Sequence, residues 1–113
     1  MKYLFICTGN TDRSPTAAKI CNQIAKEKGL EIEVESAGLL TEGGRQLSKE
    51  IANSADRIFV MEERMIKWVV EEYFQPREKI VCLNVRDDYD TAHPKEKEKL
   101  ERIFREKLPN YVK

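Results

Sequence analysis

Apolar positions along the chain alternate between short contiguous runs and stretches at helical spacing. Tyr3 to Ile6 is a contiguous apolar run of the kind that forms a buried strand. The spacing from about Ser14 to Lys28 predicts a helix, with Ala17, Ile20, Cys21, Ile24 and Ala25 on one face and Gly29 as its stop. Glu31 to Ser36 alternates charged and apolar residues, with Ile32 and Val34 on one side. That pattern predicts a strand with one face exposed, at the edge of a sheet. Residues 38 to 44 read as a loop, where Gly43 and Gly44 mark a tight or flexible turn. Leu47 to Ser54 is a short helix and Arg57 to Met61 a buried strand. A helix follows from Arg64 to Phe74, with Met65, Val69 and Tyr73 along one side and Trp68 nearby, until Gln75-Pro76 ends it. Lys79 to Leu83 is a further apolar strand, Asn84 to His93 a loop, and Pro94 opens a last helix whose buried stripe is Leu100, Ile103, Phe104 and Leu108.

Strands alternating with helices imply parallel strands joined by right-handed crossovers. The expected fold is α/β: four strands and about four helices in three layers, as a single domain over residues 1–113. In such sheets ligands bind beyond the carboxyl ends of the strands. The loops after Ile6 and after Leu83 both leave from that edge.

Composition narrows the class. The chain has 113 residues, 41% hydrophobic and 35% charged, which suits one small core under a charged surface. Lys plus Arg and Asp plus Glu are 20 each, so the net charge is zero. That balance argues against a general nucleic-acid or membrane-surface binder. No apolar run approaches the ~20 residues of a membrane span, and the first residues read as a strand rather than a signal peptide. The three cysteines have neither disulfide-framework nor zinc spacing. Cys21 and Cys82 are expected to be small buried apolar residues, and this usage fits a reducing cytoplasm.

The candidate chemistry lies between the first strand and the first helix, in Cys7-Thr8-Gly9-Asn10-Thr11-Asp12-Arg13-Ser14-Pro15. A loop that turns its backbone N–H groups inward at a helix N-terminus is an anion site. Cysteines in such surroundings are acidic, with pKa values of roughly 3.5–7.5. Arg13 offers a planar fork matched to two phosphate oxygens. Ser14 can cap the helix or donate to the thiolate. Gly9 and Asn10 tolerate left-handed backbone, which a loop curling around an anion requires. Thr8, Thr11 and Asp12 complete the cradle.

Cys7 to Asn10 and Arg13 to Pro15 resemble the phosphate-binding loop of the low-molecular-weight protein tyrosine phosphatases. Ser36-Ala37-Gly38 is similar to that family's segment after its second strand, and Arg45 to Glu63 to its short helix and third strand. Asp87-Asp88-Tyr89 falls where the family has its Asp-Pro-Tyr acid loop. The resemblance spans nearly the whole chain and lies closest to a compact branch of predicted tyrosine phosphatases.

The resemblance implies strand order 2-1-3-4 and a cysteine-dependent phosphomonoesterase, a protein tyrosine or aryl phosphatase acting through a phosphocysteine. It needs neither cofactor nor metal. Cys7 is the implied nucleophile, Arg13 the clamp and Asp87 the acid, with Asp88 and then Asp90 as alternatives. Ser36 would brace the loop and Tyr89 flank an aryl ring. A phosphorylated protein or small phosphate ester is the expected partner, and a monomer or weak dimer the expected state. Asp12 departs from the family's small, apolar or cysteine residue; pointing inward it would oppose a dianion, so it is expected to point outward. Leu39 and Leu40 are the only large apolar residues where the family walls its cleft with an aromatic one. His93, the only histidine, reads as a surface residue at a helix start. Two other classes share the loop: a non-catalytic phosphate-binding module, and an arsenate reductase-like enzyme. The latter needs a further cysteine after the third strand, where this chain has Met61 and Glu62.

Overall fold

A computed structural model describes residues 1–42 and 44–113; Gly43, one of the glycine pair expected to mark a turn, lies outside the described residues. Four parallel strands, β1 (Lys2–Cys7), β2 (Glu33–Gly38), β3 (Arg57–Val60) and β4 (Ile80–Cys82), form one sheet in the order β2-β1-β3-β4. Helix α1 (Arg13–Glu27) lies against β1 and β2 and packs on the last helix, α4 (Pro94–Lys107). Helix α3 (Glu63–Glu72) lies against β3 and β4, and the short α2 (Lys49–Ser54) starts from a Ser48 cap that accepts the Ile51 N–H. Among the described residues, no helix is long and apolar enough to cross a membrane.

The order reverses at β1. Its following helix leads to one side of the sheet, and the helix after β3 leads to the other. Parallel sheets open a crevice at such a switch point, beyond the carboxyl ends of the strands. Here it lies between the ends of β1 and β3. The core beneath is anchored by aromatic rings: Phe5 and Phe59, paired across β1 and β3, stack with centroids 4.7 Å apart, and Tyr3 and Tyr111 pack against Phe59 at 5.3 and 5.7 Å. Central strands buried on both faces read as apolar runs, and β1 and β3 do so.

Several expectations change, and α2 begins at Lys49 rather than Leu47 because Ser48 caps it. Strand β2 runs two residues later than its alternation predicts, because it ends where its partner β1 ends, with Cys7 opposite Gly38. Helix α3 stops at Glu72 rather than Phe74: Phe74 turns left-handed (φ 55°) and stands exposed, with the Lys49 ammonium 4.3 Å above its ring. That reversal lets Gln75, which is buried, hydrogen-bond the Val69 carbonyl and Asn53. Cys21 is buried, and burial pushes its thiol up to about 12. Cys82, by contrast, is only half-buried on the edge strand β4, its thiol facing Asn84 at 3.4 Å.

Candidate active site

The chain leaves β1 at Cys7 and enters α1 at Arg13, and the intervening loop closes on the Cys7 sulfur. Asn10 adopts the left-handed conformation (φ 53°) and its N–H points at Cys7 Sγ from 3.2 Å. Ser14 Oγ lies 3.0 Å from the same sulfur and donates to Asn10 Oδ1 at 2.7 Å. The Ser14 hydroxyl has one proton and two acceptors within reach. A neutral thiol donates to it while it donates to Asn10; a thiolate draws its proton instead. Ser14 lies inside the first turn of α1 and faces the sulfur; the position before the helix is held by Asp12, whose side chain makes no cap bond.

Helix start and strand end place Arg13 almost wholly inside the protein, at 2% exposure. A buried guanidinium must be paired. Its Nη1 donates to Glu62 Oε2 at 2.7 Å and to the Val85 carbonyl at 2.8 Å, and its Nε lies 3.7 Å from Asp87 Oδ1. Both Nη1 protons are thereby committed, which leaves Nη2 and Nε, the latter beside Asp87, for an oxyanion. Glu62 follows β3 directly, so it sits across the switch-point crevice from the Cys7 loop. The Arg13 guanidinium, and then that of Arg64, holds the Glu62 carboxyl below the usual carboxylate range. The stability from this pairing is fully present above the unfolded carboxylate value of about 4.3 and is lost as pH falls through the lower folded value. Arg64 also reaches Thr8 Oγ1 at 3.2 Å.

Together these residues surround a cavity of about 250 Å³ lined by Cys7, Thr8, Gly9, Thr11, Asp12, Arg13 and Asp87. Among the described residues, no second cysteine lines it. Asp88 instead pairs outward with Arg86 at 3.0 Å. Asp90 accepts the Ala92 N–H at 2.9 Å and shapes the turn before α4. Tyr89 packs partly buried against the core, and exposed His93 precedes α4 without capping it. Ser36 lies in β2 opposite Phe5, two residues short of the loop. Bracing comes from the backbone after it: the Leu39 N–H bonds Cys7 O at 3.0 Å and the Leu40 N–H bonds Thr8 O at 2.8 Å. Leu39 is buried in the core, and Leu40 is left exposed beside Thr8. Among the described residues, no three His, Cys, Asp or Glu side chains are grouped to hold a metal ion.

Residues 2–45 match the sequence model of the low molecular weight phosphotyrosine protein phosphatases. Over these residues, which include the whole Cys7 loop, the chain is similar to that family. It is 28% identical to a protein-arginine-phosphatase of Bacillus subtilis, over 74% of this chain and 70% of the relative. The low molecular weight protein tyrosine phosphatase of T. tengcongensis shares its fold at a TM-score of 0.75, with 25% identity over 97% of this chain and 98% of the other. A YwlE arginine phosphatase variant with a phosphorylated active-site serine superposes at a TM-score of 0.78, with 23% identity over 99% and 95%. The chain is thus a hydrolase, a cysteine-based phosphatase.

Glu62, Arg64 and the Val85 carbonyl are the parts of this phosphatase site that sequence reasoning passed over. A weak signal existed for Glu62, since a carboxylate just past a buried parallel strand lies on the sheet's ligand edge. The phosphatase loop also depends on Gly38. A Cβ there would meet Thr41 Cγ2, and would come within 2.9 Å of both Asn10 N and Thr8 O, two backbone atoms of the loop. Gly38→Ala is expected to lower stability by about 1–3 kcal/mol, as overpacking does, and to weaken vanadate binding. Thermal unfolding and an inhibition constant measure the two.

Proposed function

We propose that this phosphatase removes phosphoryl groups from arginine side chains of proteins, through a phosphocysteine on Cys7. The observation that carries this reading is the lining of the Cys7 cavity. It consists of small and polar residues, holds no aromatic side chain among the described residues, and includes Asp87, whose side chain is 65% exposed. A phenyl ring leaving such a site has nothing to stack on, whereas a guanidine finds a carboxylate. The Bacillus subtilis relative, named for arginine, supports the same choice.

The chemistry then follows from the geometry. Cys7 Sγ attacks phosphorus opposite the leaving nitrogen; the S–P bond forms and the P–N bond breaks. The loop N–H groups and the Arg13 Nε–Nη2 edge hold the equatorial oxygens as their charge shifts. Asp87 gives a proton to the leaving guanidine and then takes one from the water that attacks the phosphocysteine. Phosphate leaves and the thiolate is restored. Asp87 is preferred to Asp88 for this role because only Asp87 lines the cavity. The solved relative with a phosphorylated active-site serine illustrates a covalent phosphoryl state on this fold.

Turnover on matched peptides tests the substrate class. Phosphoarginine peptides are expected to be hydrolysed with kcat/KM at least about tenfold above phosphotyrosine peptides, a margin of about 1.4 kcal/mol in transition-state binding. The reverse preference would assign the phosphatase to tyrosine or aryl esters, with Tyr89 turned toward the ring. Hydrolysis of neither would leave a phosphate-binding module.

A further inference from the structure

We propose that Asp12 is a positioning residue for catalysis: with Thr91 it forms a clasp that holds the acid loop, and so Asp87, over Cys7. An aspartate just before a helix ordinarily accepts an N–H of the first turn. Asp12 precedes α1 and makes no such cap. Its Oδ1 instead accepts both the Thr91 hydroxyl at 2.6 Å and the Thr91 N–H at 3.0 Å, from a residue 79 positions away. Hydrogen bonds to a carboxylate are roughly twice as strong as neutral ones. Asp12 lines the cavity, and two donors on one of its oxygens offset part of its charge, which lessens the repulsion a carboxylate there would cause an oxyanion.

The clasp is one of two ties that bracket Asp87. Two residues before it, the Val85 carbonyl accepts from Arg13 Nη1 at 2.8 Å. Four residues after it, Thr91 is tied to Asp12, and the Asp90 turn presents Thr91 by bonding Ala92 and His93. Adjacent residues of the phosphate loop, 12 and 13, thus hold the acid loop on both sides of Asp87. Between the ties Arg86, Asp87, Asp88 and Asp90 are exposed, Asp88 pairs outward, and Tyr89 alone packs partly against the core. The Arg13 tie is needed for the oxyanion in any case; the Asp12 tie has no other use in the site.

This inference rests on Asp87 as the acid, and the test separates the two. Rates are measured over phosphate esters of graded leaving-group pKa for Asp12→Ala, Thr91→Val, Thr91→Ser and Asp87→Asn, with amide hydrogen exchange on the same proteins. Asp12→Ala and Thr91→Val are expected to slow poor leaving groups about 10–10²-fold, the cost of a misplaced catalytic group, and dinitrophenyl phosphate far less. Vanadate inhibition should stay within about twofold, since oxyanion binding is untouched. Thr91→Ser keeps both donors and should keep the rate. The Thr91 amide should lose exchange protection in Asp12→Ala while β1 amides keep theirs. If Asp12→Ala slows all esters equally, or weakens vanadate, Asp12 acts on the phosphate loop and the proposal is overturned. It is also overturned if the Thr91 amide is freed and the leaving-group dependence does not move while Asp87→Asn steepens it. If Asp87→Asn leaves that dependence flat, the acid assignment fails and the clasp's catalytic role fails with it.

Discussion

Cys7→Ser is expected to lower turnover of every phosphorylated substrate by about 10⁴ or more, the scale on which removal of a nucleophile acts, with the fold intact. The sulfur is held by Asn10 N–H at 3.2 Å and by Ser14 Oγ at 3.0 Å. A serine hydroxyl can occupy the same place and accept the same donors, so little packing is lost. What is lost is the sulfur nucleophile. A hydroxyl has no general base beside it, because its neighbours Ser14 and Asn10 are a hydroxyl and an amide. Binding of phosphate or vanadate should survive, since Arg13 and the loop amides remain. Retained activity in Cys7→Ser, or activity that a chelator removes, would displace Cys7 from the mechanism.

Arg13→Lys is expected to lower kcat/KM by about 10²–10³, the range seen when one preorganised oxyanion donor is removed. The fork does two jobs at once in this structure. Nη1 is committed to Glu62 and the Val85 carbonyl, and Arg13 also lines the cavity beside Cys7. An ammonium on a flexible stem can take one of those places and leaves the other group unpaired. It will favour Glu62, which is already ionised and near, so oxyanion binding should weaken along with kcat. Because the second tie on the acid loop is lost with Nη1, poor leaving groups should suffer somewhat more than good ones. Kinetics with two esters of different leaving-group pKa, and a vanadate inhibition constant, measure this. Near-normal turnover would remove the clamp.

How far the sequence reveals such a site depends on the range of the interaction. Local chemistry is legible. Cys7, Asn10, Arg13 and Ser14 lie within one loop and helix start, and the types of residue present already specify an anion cradle there. The central strands β1 and β3 are legible because burial on both faces leaves contiguous apolar runs. The edge strand β2 is legible as a strand and misjudged in its bounds, since its end is fixed by pairing with β1 and not by its own alternation. Cys82 looked apolar in a short apolar run, but an edge strand of three residues leaves it half-exposed. Contacts of long separation are not legible. Glu62 reaches Arg13 across 49 positions and Thr91 reaches Asp12 across 79, and on the chain each is one polar residue among many. Asp87 and Asp88 are equivalent as neighbours in sequence; only the turn of the backbone sends one to the cavity and the other to Arg86.

The covalent step is the centre of this account, and a rapid-quench experiment tests it most directly. The protein is mixed with a phosphoarginine peptide in excess, stopped within the first turnover, digested, and the Cys7 peptide is weighed by mass spectrometry. One phosphoryl group per active chain is expected on Cys7, appearing as peptide product is released and decaying as inorganic phosphate forms. It should persist longer in Asp87→Asn, where no base activates the water. Peptide product and phosphate released together at full rate, with no phosphoryl group on Cys7 at any time, would contradict it.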